Sequence, residues 1–307
     1  MKKIIINSFS KTHSSVVDPI KKGLLKTGRY LVDVNISTPI KSDHDLRIVT
    51  SWLPHWVFPN SILVPHGICE AEKRSHRLTH EAIKRFTKVF WSGSTFLMKD
   101  VNQSVVGFPK SDVLFTEDGA KEIEKTGKTY KVDELPYEQT ILFNGPYLTE
   151  TPVLWEKYIP ELLKLSKKHC FNVFIRPRDD VVSQKQLGGH PLMQVLSNYD
   201  NVRVTDCINN WTLFPFVDVS FSGFSSTIRE FSAVKKPSFF LEGVPSLNYP
   251  VAVHRVKLKN FESTILKALN NPEDYIVSQK IIDGLFYKLD GKVVERIISE
   301  IDGLLKE

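Results

Sequence analysis

The chain has 307 residues, 41% of them hydrophobic and 25% charged, with 41 Lys and Arg against 35 Asp and Glu. That is enough apolar material for two globular domains of roughly 100–200 residues each, and no run of about 18 apolar residues marks a spanning helix. The net charge of +6 favours contact with something acidic: nucleotide phosphates, a polyanionic acceptor, an anionic membrane face or nucleic acid.

The apolar run Ile4-Ile5-Ile6 stops at Asn7, short of the roughly 7–15 residues of a signal peptide, so Lys3–Asn7 is expected as a buried first strand. A serine-rich loop containing Ser10 follows, then a helix over Val16–Lys26 closed by Gly28. Strands are expected at Tyr30–Ile36, Leu46–Ser51 and Ser61–Pro65, and a basic helix at Arg74–Phe86. Lys88–Trp91 reads as a strand, Gly93–Val101 as a helix, and Val105-Val106 as the end of a last strand. Polar sequence from Ser111 to Gln139 breaks the alternation, and 118–139 is read as a linker with a short helix at best. The alternation restarts with strand Thr140–Asn144, helix Val153–Lys168, strand Phe171–Ile175, helix His190–Asn198 and strand Val202–Thr205. Strand Val217–Phe221, helix Ser225–Val234 and strand Pro237–Leu241 follow, and a largely helical tail runs from Ile281. Strands alternating with helices imply parallel sheets with right-handed crossovers. Two such runs predict an α/β chain of two Rossmann-like domains, 1–117 and 140–290, with a terminal helix over 291–307.

Cys69, Cys170 and Cys207 form no CxxC pair, which suits reduced, core-filling thiols in a cytoplasmic protein. No GxxxxGK[ST] loop and no GxGxxG is present, so a P-loop NTPase and a standard dinucleotide dehydrogenase both lack their central feature. His76 and His80 stand four apart but among Arg74, Arg77, Lys84 and Arg85, which disfavours a cation, and Asp43-His44-Asp45 is too short a signal to carry a metal. No metal is expected.

Three segments can carry chemistry. In Val217–Phe231 a buried strand runs through Ser222-Gly223-Phe224-Ser225-Ser226-Thr227 into a helix. Free N–H groups at a helix start, with four hydroxyls and a glycine, make an anion site suited to a diphosphate; ordinary N-capping by Ser225 or Ser226 is the plainer alternative. Glu230, one turn on, either accepts ribose hydroxyls or sits in a salt bridge. His66, in Val64-Pro65-His66-Gly67 at a strand end, titrates near neutrality and can take a proton from an attacking hydroxyl. Arg176 and Arg178, at the end of another strand, can bind phosphate in bidentate fashion, with Asp179 and Asp180 beside them.

At these segments the sequence resembles the CDP-glycerol glycerophosphotransferase family of teichoic-acid polymerases and primases. Pro65-His66-Gly67, Gly107–Leu114, Thr140–Pro146 and Phe216–Phe239 match in order, in fragments across residues 60–240. The chain departs from the family at Arg176-Pro177-Arg178, where a second histidine is usual, and at Phe221–Ser226. The resemblance implies a GT-B fold, two Rossmann-like domains facing a central cleft, with His66 as base and Ser10 and Gly67 on the acceptor side. It implies transfer of a glycosyl or polyol-phosphate group from a CDP- or UDP-linked donor to a hydroxyl of a glycan, polyol phosphate or lipid-linked acceptor, in cell-surface polymer synthesis. No cofactor is required, and the protein is expected in the cytoplasm, peripheral at the inner membrane face. A sugar-nucleotide epimerase, a phage-type glycosyltransferase modifying DNA, and a non-catalytic binding protein are the alternatives.

Overall fold

The computed structural model describes residues 1–8, 13–36, 43–51, 57–65, 77–145, 154–177, 195–223, 226–242 and 254–306. They form two compact units: Met1–Gly119 with Lys280–Glu307, and Ala120–Gln279.

The first unit carries a parallel six-stranded sheet in the order β2-β1-β3-β4-β5-β6. Its strands are β1 (Lys2–Ser8), β2 (Tyr30–Ile36), β3 (Leu46–Val49), β4 (Ser61–Leu63), β5 (Lys88–Trp91) and β6 (Gln103–Val105). Ile4, Ile5 and Ile6 are all buried, as a central parallel strand covered on both faces requires. Helix α1 (Ser14–Lys26) turns Val16, Val17, Ile20 and Leu24 onto the sheet, and Gly28 ends it at φ +67°. Helix α2 (Arg77–Lys84) precedes β5.

The region Gly93–Val101 is not a helix. A single 3₁₀ turn at Ser94–Phe96 leads to Asp100 in the left-handed region and then to β6. The Gln103 side chain explains the stop: its Oε1 accepts from Met98 N (3.1 Å) and Trp91 Nε1 (2.7 Å), and its Nε2 donates to Met98 O (2.6 Å). Helical partners of Met98 are thereby replaced by a side chain.

The stretch 118–139, expected as a linker with a short helix at best, holds a helix of 13 residues and lies in the second unit from Ala120 onward. Helix α3 (Glu117–Thr129) runs through it, and its Thr126 hydroxyl bonds the Thr212 hydroxyl at 2.9 Å inside the second unit. That unit's sheet, also parallel, has the order β12-β11-β10-β7-β8-β9. Its strands are β7 (Thr140–Asn144), β8 (Asn172–Arg176), β9 (Val202–Val204), β10 (Val219–Ser222), β11 (Ser238–Leu241) and β12 (His254–Val256). A wide π-type turn at Leu154–Tyr158 leads into α4 (Ile159–His169), where Pro160 occupies the first turn that lacks internal N–H partners. Helices α5 (Thr227–Ser232) and α6 (Phe261–Asn270) follow. One face of the sheet packs Ile141, Phe143, Val173, Ile175 and Phe221 against Trp155, Ile159, Leu162 and Phe261.

The tail is two helices, α7 (Gln279–Leu285) and α8 (Val293–Leu304), broken where Gly291 takes φ +72°. Both belong to the first unit from Lys280 onward, so the boundary lies earlier than residue 290. Cys170 is not core filling: it is exposed and closes α4 in the left-handed region. Cys207 is half-buried, its thiol 3.1 Å from Asn209 O. Cys69 and residues 190–194 of the expected helix lie outside the described residues.

Candidate functional site

In the second unit the chain starts at β7, builds β8 and β9 to one side, then returns to build β10, β11 and β12 on the other. The order reverses between β7 and β10, and open α/β sheets take their ligands at the strand carboxyl ends beside such a reversal. Three residues stand in register there: Arg176 on β8, Asn144 on β7 and Ser222 on β10. They lie on the sheet face opposite the Ile141–Phe143 core, because side chains alternate along a strand. Arg176 Nη1 donates to Asn144 Oδ1 at 3.1 Å, and its Nε donates to Cys207 O at 3.0 Å. Ser222 Oγ donates to Asn144 O at 2.9 Å, and Asn144 Nδ2 reaches Ser222 Oγ at 3.4 Å. Arg176 is only 5% exposed. A guanidinium held in a planar fork beside a polar row, with little water around it, is suited to an anionic oxygen.

Behind this row lies a second network. Glu230 on α5 is 1% exposed, and its Oε2 accepts from Trp211 Nε1 (2.9 Å) and Asn210 Nδ2 (3.2 Å). Asn210 Nδ2 also reaches Thr227 Oγ1 at 3.1 Å. The Trp211 ring lies tilted against Phe214, which packs edge to face on Phe231. The structure therefore gives Glu230 and Thr227 buried partners within the unit. Helix α5 has six residues, and Ser226 at its N-cap makes no side-chain capping bond. The Lys236 ammonium donates to Phe214 O (3.3 Å) and Val217 O (2.5 Å), and burial lowers its pKa.

Of the residues expected from sequence, the structure brings Arg176, Ser222, Gly223, Ser226, Thr227 and Glu230 to the β7/β10 end of one sheet. Ser10, His66, Gly67, Arg178 and Ser225 lie outside the described residues. His44 and Asp45 sit at the amino ends of the first unit's strands, His44 Nε2 3.0 Å from Asp33 and Asp45 accepting from Lys3 N at 2.7 Å. Among the described residues no cluster of three metal-ligating side chains occurs, and none of the helices is long and apolar enough to cross a membrane.

Sequence reasoning missed Asn144, Asn210 and Trp211. Asn144 carried a readable signal, a polar residue ending an otherwise apolar strand before Gly145-Pro146. Asn210 and Trp211 carried none, since nothing in the local pattern joins them to Glu230.

No protein-family model matches the sequence, and no curated protein matches it. Solved structures do match over nearly the whole chain. The wall teichoic acid polymerase TagF aligns with a TM-score of 0.64 at 16% identity, over 99% of this chain and 89% of that one. The UDP-GlcNAc 2-epimerase of Methanocaldococcus jannaschii aligns at 0.65 and 12%, over 98% and 99%. The UDP-GlcNAc 2-epimerase of Neisseria meningitidis, solved with UDP-GlcNAc bound, aligns at 0.62 and 13%, over the full length of both. Likeness at such identities is likeness of fold. With two six-stranded parallel sheets in Rossmann-type order, the chain is an α/β protein of the GT-B fold.

Proposed function

We propose that the chain is a transferase that moves a glycosyl or polyol-phosphate group from a nucleotide-activated donor to an acceptor hydroxyl, in the synthesis of a cell-surface polymer. The Arg176–Asn144–Ser222 row at the β7/β10 reversal carries this reading. In it, the acceptor oxygen attacks the transferred carbon or phosphorus as the bond to the nucleotide's phosphate oxygen breaks. His66 takes the acceptor proton, and the positive charge of Arg176 and the polar groups from Ser222 to Thr227 hold the departing phosphate. Arg178 adds to this charge. Stabilising a leaving anion by fixed donors is work that needs no cofactor. The likeness to enzymes acting on UDP-GlcNAc and to a teichoic acid polymerase supports a CDP- or UDP-linked donor, and the basic surface suits a protein working in the cytoplasm at an anionic membrane face.

The test is thermal stabilisation of the full chain by CDP, UDP, GDP, ADP and CMP, with and without magnesium, because ligands that bind only the folded state raise its melting point. Arg176→Ala should weaken the nucleotide that responds by about 10- to 100-fold, the loss of about 1.4–2.8 kcal/mol from a charged hydrogen-bonding pair. A wild-type chain silent to all five would defeat the reading. An epimerase is the second reading, favoured by the two UDP-GlcNAc 2-epimerase structures; it would turn over a sugar nucleotide with no acceptor present.

A further inference from the structure

The two edges of the first sheet are unlike. At one, β6 has three residues; at the other, β2 has seven. The second sheet ends in β9 and β12, of three residues each. Short length, the exposed His254 and Arg255 on β12, and the bond from Arg203 Nε on β9 to Tyr130 O (3.2 Å) all blunt an open ladder. Strand β2 lacks these devices. Its sequence, Tyr30-Leu31-Val32-Asp33-Val34-Asn35-Ile36, holds no Lys, Arg or Pro, and Leu31 and Ile36 are 47% and 42% exposed. Among the described residues it pairs with β1 alone. Thr50 N bonds Asn7 O, so the odd-numbered residues of β1 turn their backbone groups to β3 and the even-numbered ones to β2. With Ile4 opposite Val32 and Ile6 opposite Val34, the bonds from β1 fall to Leu31, Asp33 and Asn35. Tyr30, Val32, Val34 and Ile36 then turn N–H and C=O out of the sheet.

The strand that best fits this ladder is β2 itself. Place two copies antiparallel, with a two-fold axis between facing Val34 residues. Val32 then stands opposite the partner's Ile36, and Asp33 opposite the partner's Asn35, each pair occurring twice by symmetry. Apolar meets apolar on one face, and a carboxylate meets an amide donor on the other. An axis at Asp33 would set two carboxylates against each other; one at Val32 would set Asp33 against the partner's Leu31. The Asp33 side chain is 74% exposed, with His44 Nε2 at 3.0 Å, so a charge that deters other strands selects one register of its own. We propose that β2 is a self-pairing edge, through which two copies of the chain join their first sheets antiparallel with Val34 facing Val34. Pairing uses up the β2 edge of both copies, so assembly closes at a dimer. Nothing in this rests on the transferase reading.

The test is sedimentation velocity of the full chain over a concentration series. The wild type should pass from monomer to dimer as its concentration rises. Asn35→Asp sets carboxylate against carboxylate at both symmetric pairs and should raise the dimer dissociation constant about ten-fold. Adding Asp33→Asn exchanges the two residues, restores the pairing and should bring the constant back close to that of wild type; a merely structural effect of Asn35→Asp would not be rescued. Val34→Pro removes an outward N–H at the axis, a change that an edge strand tolerates, and should abolish the dimer. A wild type monomeric at its highest soluble concentration, assembly beyond the dimer, a dimer indifferent to Asn35→Asp and Val34→Pro, or an exchange variant no tighter than Asn35→Asp would each overturn the proposal. Should Val34→Pro fail to fold, Asn35→Asp and its rescue, which change charge and not shape, decide alone.

Discussion

Glu230 accepts hydrogen bonds from Trp211 and Asn210 where water does not reach. Glu230→Ala leaves both donors buried without that acceptor. At roughly 1–3 kcal/mol for each unmet buried group, a loss of about 2–6 kcal/mol is expected for the two donors. Glu230→Gln keeps one acceptor oxygen and should cost less than about half of that. Urea denaturation of the two variants checks this; an Ala variant as stable as wild type would show that the network contributes nothing. From sequence, Glu230 was legible as important but not for what it does. A ribose contact and a salt bridge were the alternatives, and neither anticipates an indole N–H arriving from a segment 19 residues earlier. Arg176 was legible because an apolar strand seldom ends in arginine without a use for it.

At the scale of elements, α4 and α6 meet through their ends. Lys168 and His169 close α4, and Glu262 lies in the first turn of α6. Glu262 Oε1 sits 2.7 Å from both Lys168 Nζ and His169 Nε2. Cations at a helix C-terminus and a carboxylate at an N-terminus each suit the local dipole. The hydrogen bonds from Lys168 and then His169 pull the Glu262 pKa down from 4.5 to about 2. A carboxyl whose folded value lies below its unfolded one adds stability above the unfolded value and loses it as the pH falls through the folded one. Glu262→Gln should therefore lower the melting temperature at neutral pH by a small amount, as befits an exposed pair. The gap to wild type should close between about pH 4.5 and about 2. A gap that is constant over that range would assign the effect to something other than charge. Helix α6 itself went unread in the sequence, because Phe261, Ile265 and Ala268 are its only buried residues and make a thin stripe.

At the scale of the whole molecule, the chain closes its first unit with its last helix. Asp112 accepts from the N–H groups of Val293 (3.2 Å) and Val294 (3.0 Å), capping α8 from a distance of about 180 residues in sequence. Val293, Ile297 and Ile301 are fully buried with Ile4, Ile6, Val16 and Ile20. Gly23 on α1 leaves the room that Val294 and Ile298 fill. Removing residues 293–307 deletes three core side chains worth about 2–5 kcal/mol each, as much as a typical domain's total stability of about 5–15 kcal/mol. The first unit should then unfold. The second unit's core takes no residue from beyond 279 and should persist, visible as a protease-resistant fragment near residues 120–279. Loss of both units, or of neither, would contradict this division.

The sequence by itself determined the α/β class, the two runs of alternation and most strands, since a buried parallel strand must be apolar and its crossover helix must be amphipathic. It also placed Arg176 and Ser222 at strand ends, because a polar residue after a buried run marks where the sheet stops. Only the tertiary structure decided strand order, and strand order is what sets Arg176, Asn144 and Ser222 side by side and leaves β2 at an edge of the first sheet. Local patterning specifies which segments are strands; which of them become neighbours is fixed by long-range packing, and so is the return of α8 to the first unit.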